Sequence, residues 1–252
     1  MSRLTAAVVV AILGCSSPAS RPVSEPVVGS AYPADDTNKP TAEPPIVVAI
    51  TGVVRYDGSE QSSTLKVTKD LAACVDDGTS ADDILVSSKR GLANAVVAIV
   101  EGPVPRSGEA ATHSLESTKC VFGPRVQVAT VGDSLVMTNN SSVLENMRAV
   151  FAEGRKTLFN IALPNQGQHI TKVLKKAGHV KVLSDVHPWM TAWIYVGEHH
   201  FATVTDEHGA FSIEGLPNGS YNLFVWHERL GNQILTTVIE DGRTTALEIT
   251  FN

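Results

Sequence analysis

VQVATVGDSLVMTN, residues 126–139, reads as two strands broken at Gly132-Asp133. Val126 and Val128 before the break, and Leu135 and Met137 after it, are each spaced by two, and Gly-Asp is a turn signal. A helix of this length would not carry Gly and Asp at its centre. The stretch therefore predicts a hairpin-like β-unit, and the rest of the chain repeats the pattern.

Working outward, Ile46 to Tyr56 is a β-branched run ending at Asp57-Gly58, and Leu92 to Val100 is an apolar run bounded by Gly91 and Gly102. Val180–Leu183 and Ala192–Val196 flank His187-Pro188. Phe201–Thr205, Phe211–Ile213, Tyr221–His227, Leu235–Glu240 and Thr244–Phe251 follow, punctuated by Gly, Asn and Pro. Val143 to Glu153 suggests one helix, and Ile170 to Lys176 a short helix or a strand. Many short strands at this spacing predict an all-β protein of two Greek-key β-sandwiches.

The N-terminus carries a different signal. Arg3 precedes an apolar run, Leu4 to Leu13, and Gly14-Cys15 follows. The run is far shorter than the roughly 20 residues that span a bilayer, so it reads as a signal peptide, residues 1–15. Ile12-Leu13-Gly14-Cys15 resembles the bacterial lipobox. That resemblance implies lipidation of Cys15 and a lipid anchor in the membrane. Ser16 in place of Asp implies the outer membrane, at its periplasmic or surface face. An ordinary signal peptide cut nearby is the alternative. Residues 16–45, rich in Pro, Ser, Ala and Thr, read as a disordered linker.

Export to an oxidising compartment bears on the remaining cysteines, Cys74 and Cys120. The expected state is a disulfide; the alternative is two separately buried thiols. The net charge of −6 provides no basic face, so nucleic acid is not an expected partner.

Thr51-Gly52-Val53-Val54 and Gly91 to Val97, with Thr203 to Ile213 and Leu216 to Leu223, resemble the two halves of a carboxypeptidase-regulatory-like sandwich. The second half is also similar to the β-sandwich of rhamnogalacturonan lyases. The resemblance implies a first part over residues 46–116 and a second over 197–252. Modules of this kind serve as spacers, docking units or carbohydrate binders, which leaves an envelope protein or a glycan as expected partners.

Residues 117–196, between the halves, resemble the cupredoxins. The likeness rests on Pro124 to Val128, on Val131 to Asn140, on Lys176 to Val180, and above all on Ser184-Asp185-Val186-His187-Pro188-Trp189-Met190. In short-loop cupredoxins such as amicyanin, a Cys-x-x-His-Pro-x-Met loop supplies three copper ligands and a distant His-Asn supplies the fourth. Blue copper needs two imidazoles and a soft thiolate in a trigonal plane, with a weak axial thioether. Here His187 and Met190 match, Ser184 stands at the thiolate position, and Glu145 stands at the other histidine position. A serine hydroxyl is a hard, weak donor. The resemblance thus implies a degenerate site of Glu145, Ser184, His187 and Met190, with no cofactor and no electron transfer, and Glu145 hydrogen-bonded to His187 where the metal would sit. The alternative is a remodelled site that still holds copper or zinc. No nucleophile–base or acid pair stands out, so the chain reads as non-enzymatic.

Other polar clusters have plainer readings. His199-His200 should point to opposite faces of a strand. Trp226-His227-Glu228 should pack its Trp and cap a strand edge with His and Glu. Asp206-Glu207-His208 belongs to a turn, Asp76-Asp77 and Asp82-Asp83 to a solvated acidic loop, and Trp189 and Trp193, which flank Met190, to core packing, with an apolar rim as the alternative.

Overall fold

The computed structural model describes residues 48–59, 66–74, 84–105, 108–154, 156–243 and 245–252. Cys15, the 16–45 segment, Asp76-Asp77 and Asp82-Asp83 lie outside the described residues. The described residues are all-β apart from one helical turn. Its elements are β1 (Ala49–Tyr56), α1 (Leu71–Cys74), β2 (Val96–Glu101), β3 (Thr112–Thr118), β4 (Val121–Gly123), β5 (Val126–Thr130), β6 (Ser134–Asn139), β7 (Glu145–Phe151) and β8 (Thr157–Leu163). There follow β9 (His169–Val173), β10 (Gly178–Leu183), β11 (Thr191–Gly197), β12 (Ala202–Val204), β13 (Ala210–Glu214), β14 (Gly219–His227), β15 (Gly231–Ile239) and β16 (Thr245–Phe251). No described helix is long and apolar enough to cross a membrane.

Four sheets pack in two pairs. The orders β13-β1-β16 and β12-β2-β14-β15 enclose one core, built from Ile50, Val54, Val97, Ile99, Phe211, Tyr221, Leu223 and Phe251 among others. The orders β5-β11-β10-β7-β8 and β4-β3-β6-β9 enclose a second core around Leu115, Leu135, Met137, Met147, Val180 and Ile194. Cys74, on α1, lies in this second core with Cys120, although it comes from the 46–116 stretch.

The unbroken apolar stretch at Val96–Val100 has a simple cause. In β2, Val97 and Ile99 face the first core, while Val96 and Ala98 meet Val126, Trp193, Tyr195 and Trp226 in a third cluster between the two sheet pairs. A strand covered on both faces has no reason to alternate. Gly52 of β1 is required by close approach: a Cβ there would stand 2.3 Å from the Leu247 carbonyl oxygen and 2.8 Å from the Phe211 ring.

The structure corrects two expectations here. Val143–Glu153 contains no helix; Glu145–Phe151 is β7, paired with β8 and β10. Its Glu, Met, Arg and Ala favour a helix intrinsically, but cross-strand pairing and burial of most of the strand override that preference. Trp226-His227-Glu228 is no edge cap. His227 is fully buried, and Glu228 accepts Arg125 Nε and Nη2 at 2.8 Å each and Trp193 Nε1 at 2.9 Å. Trp193 packs as expected, edge-on against Trp226, ring centroids 5.0 Å apart. These contacts clamp β11 and the start of β5 to the end of β14.

Candidate functional site

The loop between β10 and β11 carries Ser184, His187 and Met190, and the first residue of β7 carries Glu145. Two asparagines hold these pieces together. Asn139 ends β6; its Nδ2 donates to the carbonyls of Val143 and Leu163 at 2.9 and 2.8 Å, and its Oδ1 accepts Ser141 N–H at 2.8 Å. That fixes the approach to β7. Asn146, next to Glu145, accepts the Asp185 N–H at 2.9 Å and so ties β7 to the ligand-type loop. Ser184 Oγ accepts the N–H groups of Val186 and His187 at 3.2 and 3.0 Å, a local turn in which the hydroxyl is already engaged.

His187 is fully buried. It donates Nδ1–H to Glu145 Oε2 at 3.0 Å and Nε2–H to Asp70 Oδ2 at 3.0 Å. Glu145 is itself fully buried, and its Oε1 has no hydrogen-bond partner among the described residues. The Glu145–His187 contact expected from the sequence is present. Asp70, which the sequence reading passed over, closes the other side. It sits four residues before Cys74 with φ 51°, its carbonyl accepting the Ala73 and Cys74 N–H groups at 2.8 and 3.0 Å. Asp70 precedes α1 in a left-handed conformation, and no local spacing in the sequence marks it as a partner of His187.

Sulfur borders the same ring. Cys74 and Cys120 form a disulfide, and Cys74 Sγ lies 3.9 Å from His187 Nε2. Cys120 occupies a tight β3–β4 turn in which Lys119 and Cys120 both have positive φ, 49° and 61°. Such turns usually take Asn or Gly. Here the backbone is held by the disulfide, by Ser141 Oγ accepting Cys120 N–H at 3.1 Å, and by Trp189 Nε1 donating to Cys120 O at 3.0 Å. Trp189 also covers His187, ring centroids 5.1 Å apart. Met190 is buried in the same core, its N–H bonded to His187 O at 2.9 Å.

The four positions of the degenerate site thus meet, but not as a copper set. Both nitrogens of His187 face carboxylates, the Ser184 hydroxyl serves the backbone, and Glu145 offers a hard oxygen. The residues present do not fit a type 1 copper centre. The soft donors nearby, Cys74 and Cys120, come from elsewhere in the chain; with His187 their ligand atoms lie within 4.8 Å of one another.

Contrary to expectation, His199 and His200 lie between β11 and β12, outside any strand, and both line one cavity. Asp206 Oδ1 accepts the His208 and Ala210 N–H groups at 2.8 Å each, as a turn residue does. An open cavity of about 430 Å³ is lined by His113, Asp133, His199 and His200. Asp133 there accepts Ala111 N–H, Thr130 N–H and His113 Nε2–H. Burial works to raise the Asp133 carboxyl, but these donors outweigh it and hold it below the ordinary carboxylate value.

Solved structures give likenesses to this chain. Part of it is similar to cupredoxins. A purple cupredoxin from Nitrosopumilus maritimus is 24% identical over 35% of this chain and 100% of its own, with a TM-score of 0.30. A reduced amicyanin variant is 18% identical over 38% of this chain and 97% of its own, with a TM-score of 0.30. A copper-containing nitrite reductase from Thermus scotoductus is 17% identical over 54% of this chain, with a TM-score of 0.32. Only 28% of that reductase is covered. No family model matches the sequence. No curated protein matches it.

Proposed function

We propose that this protein is a non-catalytic binding or scaffolding module of the bacterial cell envelope, tethered through lipid on Cys15, in which a cupredoxin-type pocket is closed by protein groups instead of copper. The observation that supports this reading is the Glu145–His187–Asp70 chain. An imidazole bonded at both nitrogens, wholly buried, links the β7 start, the β10–β11 loop and the segment before α1. A metal ion in that place would do the same linking, so its loss need not cost the fold.

The test restores the missing ligands. Ser184→Cys with Glu145→His, in the full chain, is expected to take up copper(II) and show an intense thiolate-to-copper absorption in the visible. A folded double variant that stays colourless with copper(II) rejects the alignment of the loop with a copper loop. Anchoring is tested separately: fatty-acid labelling is expected in the natural chain and absent from Cys15→Ala.

A second reading, a copper-handling protein with an altered site, is favoured by the cluster of Cys74, Cys120 and His187.

A further inference from the structure

The degenerate site has its soft donors in the wrong oxidation state, and that suggests what the pocket does when they change. We propose that the Cys74–Cys120 disulfide and His187 form a redox-gated site: once the disulfide is reduced, the two thiolates and His187 Nε2 bind one soft cation, copper(I) or zinc(II). This goes beyond the scaffolding reading, which concerns the disulfide form and stands or falls separately.

The distances support a site of this kind. A cation about 2.3 Å from sulfur and about 2.0 Å from an imidazole nitrogen, at trigonal to tetrahedral angles, places those two atoms roughly 3.5–3.7 Å apart. Cys74 Sγ and His187 Nε2 are 3.9 Å apart already. Cys120 Sγ lies within 4.8 Å of the same nitrogen, and cutting the sulfur–sulfur bond frees it to separate from Cys74 and close on the cation. Cys74, Cys120 and His187 are each at most 1% exposed, so the cation would be shielded from water. Thiolate and imidazole donors in a dry pocket select copper(I) or zinc(II) over hard ions.

The carboxylates have complementary roles. Glu145 holds Nδ1–H, which fixes the tautomer whose Nε2 lone pair points to the sulfurs; ligating histidines are commonly oriented in this way. Glu145 is a positioning residue here. Asp70, whose side chain is 34% exposed, can leave Nε2 for solvent. The chemistry balances with a dithiol as reductant. The dithiol is oxidised to its own disulfide as the protein disulfide becomes two thiols. Binding the cation then releases two thiol protons and the Nε2 proton to solvent.

The experiment uses the full chain. It is reduced with a phosphine under argon, desalted, and titrated with zinc(II), or with copper(I) supplied as its complex with a coloured chelator; circular dichroism is followed throughout. Cadmium(II) serves as the spectral probe for thiolate bonding. The expected result is one equivalent of either cation, two thiols protected from alkylation, and no uptake by the unreduced chain. Cys74→Ser and Cys120→Ser should each abolish tight uptake. Glu145→Leu, which keeps all three ligands, should weaken it by about 10–100-fold. A reduced chain that stays folded and takes up neither cation overturns the proposal, as does equal uptake by the Cys74→Ser/Cys120→Ser variant. If reduction alone unfolds the chain, the cation must restore the fold; failure to do so overturns it too.

Discussion

Replacing Glu145 by Leu and His187 by Phe, singly and together, measures how far this buried pair acts as one unit. Glu145→Leu removes the acceptor of a fully buried Nδ1–H and leaves it without a partner. An orphaned buried donor costs about 1–3 kcal/mol. His187→Phe is the worse change. It leaves Glu145, fully buried and with Oε1 already unpartnered, as a carboxylate with no donor at all. Stranding a buried charge costs about 3–5 kcal/mol. Asp70 also loses its partner, but its side chain is 34% exposed and water replaces the contact at little cost. Simple addition would put the double variant at roughly 4–8 kcal/mol. With both members gone, however, neither a donor nor a charge is left stranded, and two apolar side chains join a core that holds Met147, Leu163 and Met190. The double variant is therefore expected to be more stable than His187→Phe alone, with a coupling of about 2–3 kcal/mol. Urea unfolding of all four chains gives the cycle, provided their m-values agree. Additivity within about 0.5 kcal/mol would refute the view that these residues form one linked device.

Three further outcomes are expected. Burial lowers the His227 imidazole from 6.5 to about 4, with Glu228 opposing and Arg125 and Arg229 assisting. The unfolded chain takes up that proton near pH 6.5 and the folded chain only near 4, so stability is full above 6.5 and declines by about 3 kcal/mol as pH falls through 4; His227→Phe should flatten this loss in urea melts. Glu228→Ala removes the acceptor shared by Arg125 and Trp193 and should cost about 2–3 kcal/mol by urea unfolding, less than a wholly buried pair because Arg125 is 25% exposed. Cleaving the disulfide, whose cysteines are 46 residues apart, should cost about 4 kcal/mol in the chain-entropy model, read as a drop in the unfolding midpoint on reduction without metal.

The residues differ in how openly the sequence displayed their roles. β6 was legible because its burial alternates with period two, and β5 because Val126 and Val128 share the face packed between the two sheet pairs. β3 was not: in Thr112–Thr118 only Leu115 is apolar, and Ser117 is buried through its hydroxyl bond to Ser141. β8 passed unnoticed between polar flanks. Glu145 and His187 were legible through the spacing of their segments, and the structure brings the two side chains into contact. Asp70 was not, because nothing local ties it to a loop 117 residues further on. The sandwich clamp was hidden for the same reason: Arg125 and Glu228 are 103 residues apart, and only the folded chain makes Glu228 a shared acceptor instead of an edge cap.

The most direct check on the central claim is copper retention by the folded disulfide form. The chain, its disulfide confirmed by mass, is exposed to excess copper(II), desalted and analysed for metal. If His187 is spoken for by Glu145 and Asp70, far less than one equivalent remains, and His187→Phe does not change the amount. One full equivalent of copper, retained by the natural chain and lost from His187→Phe, would contradict the account.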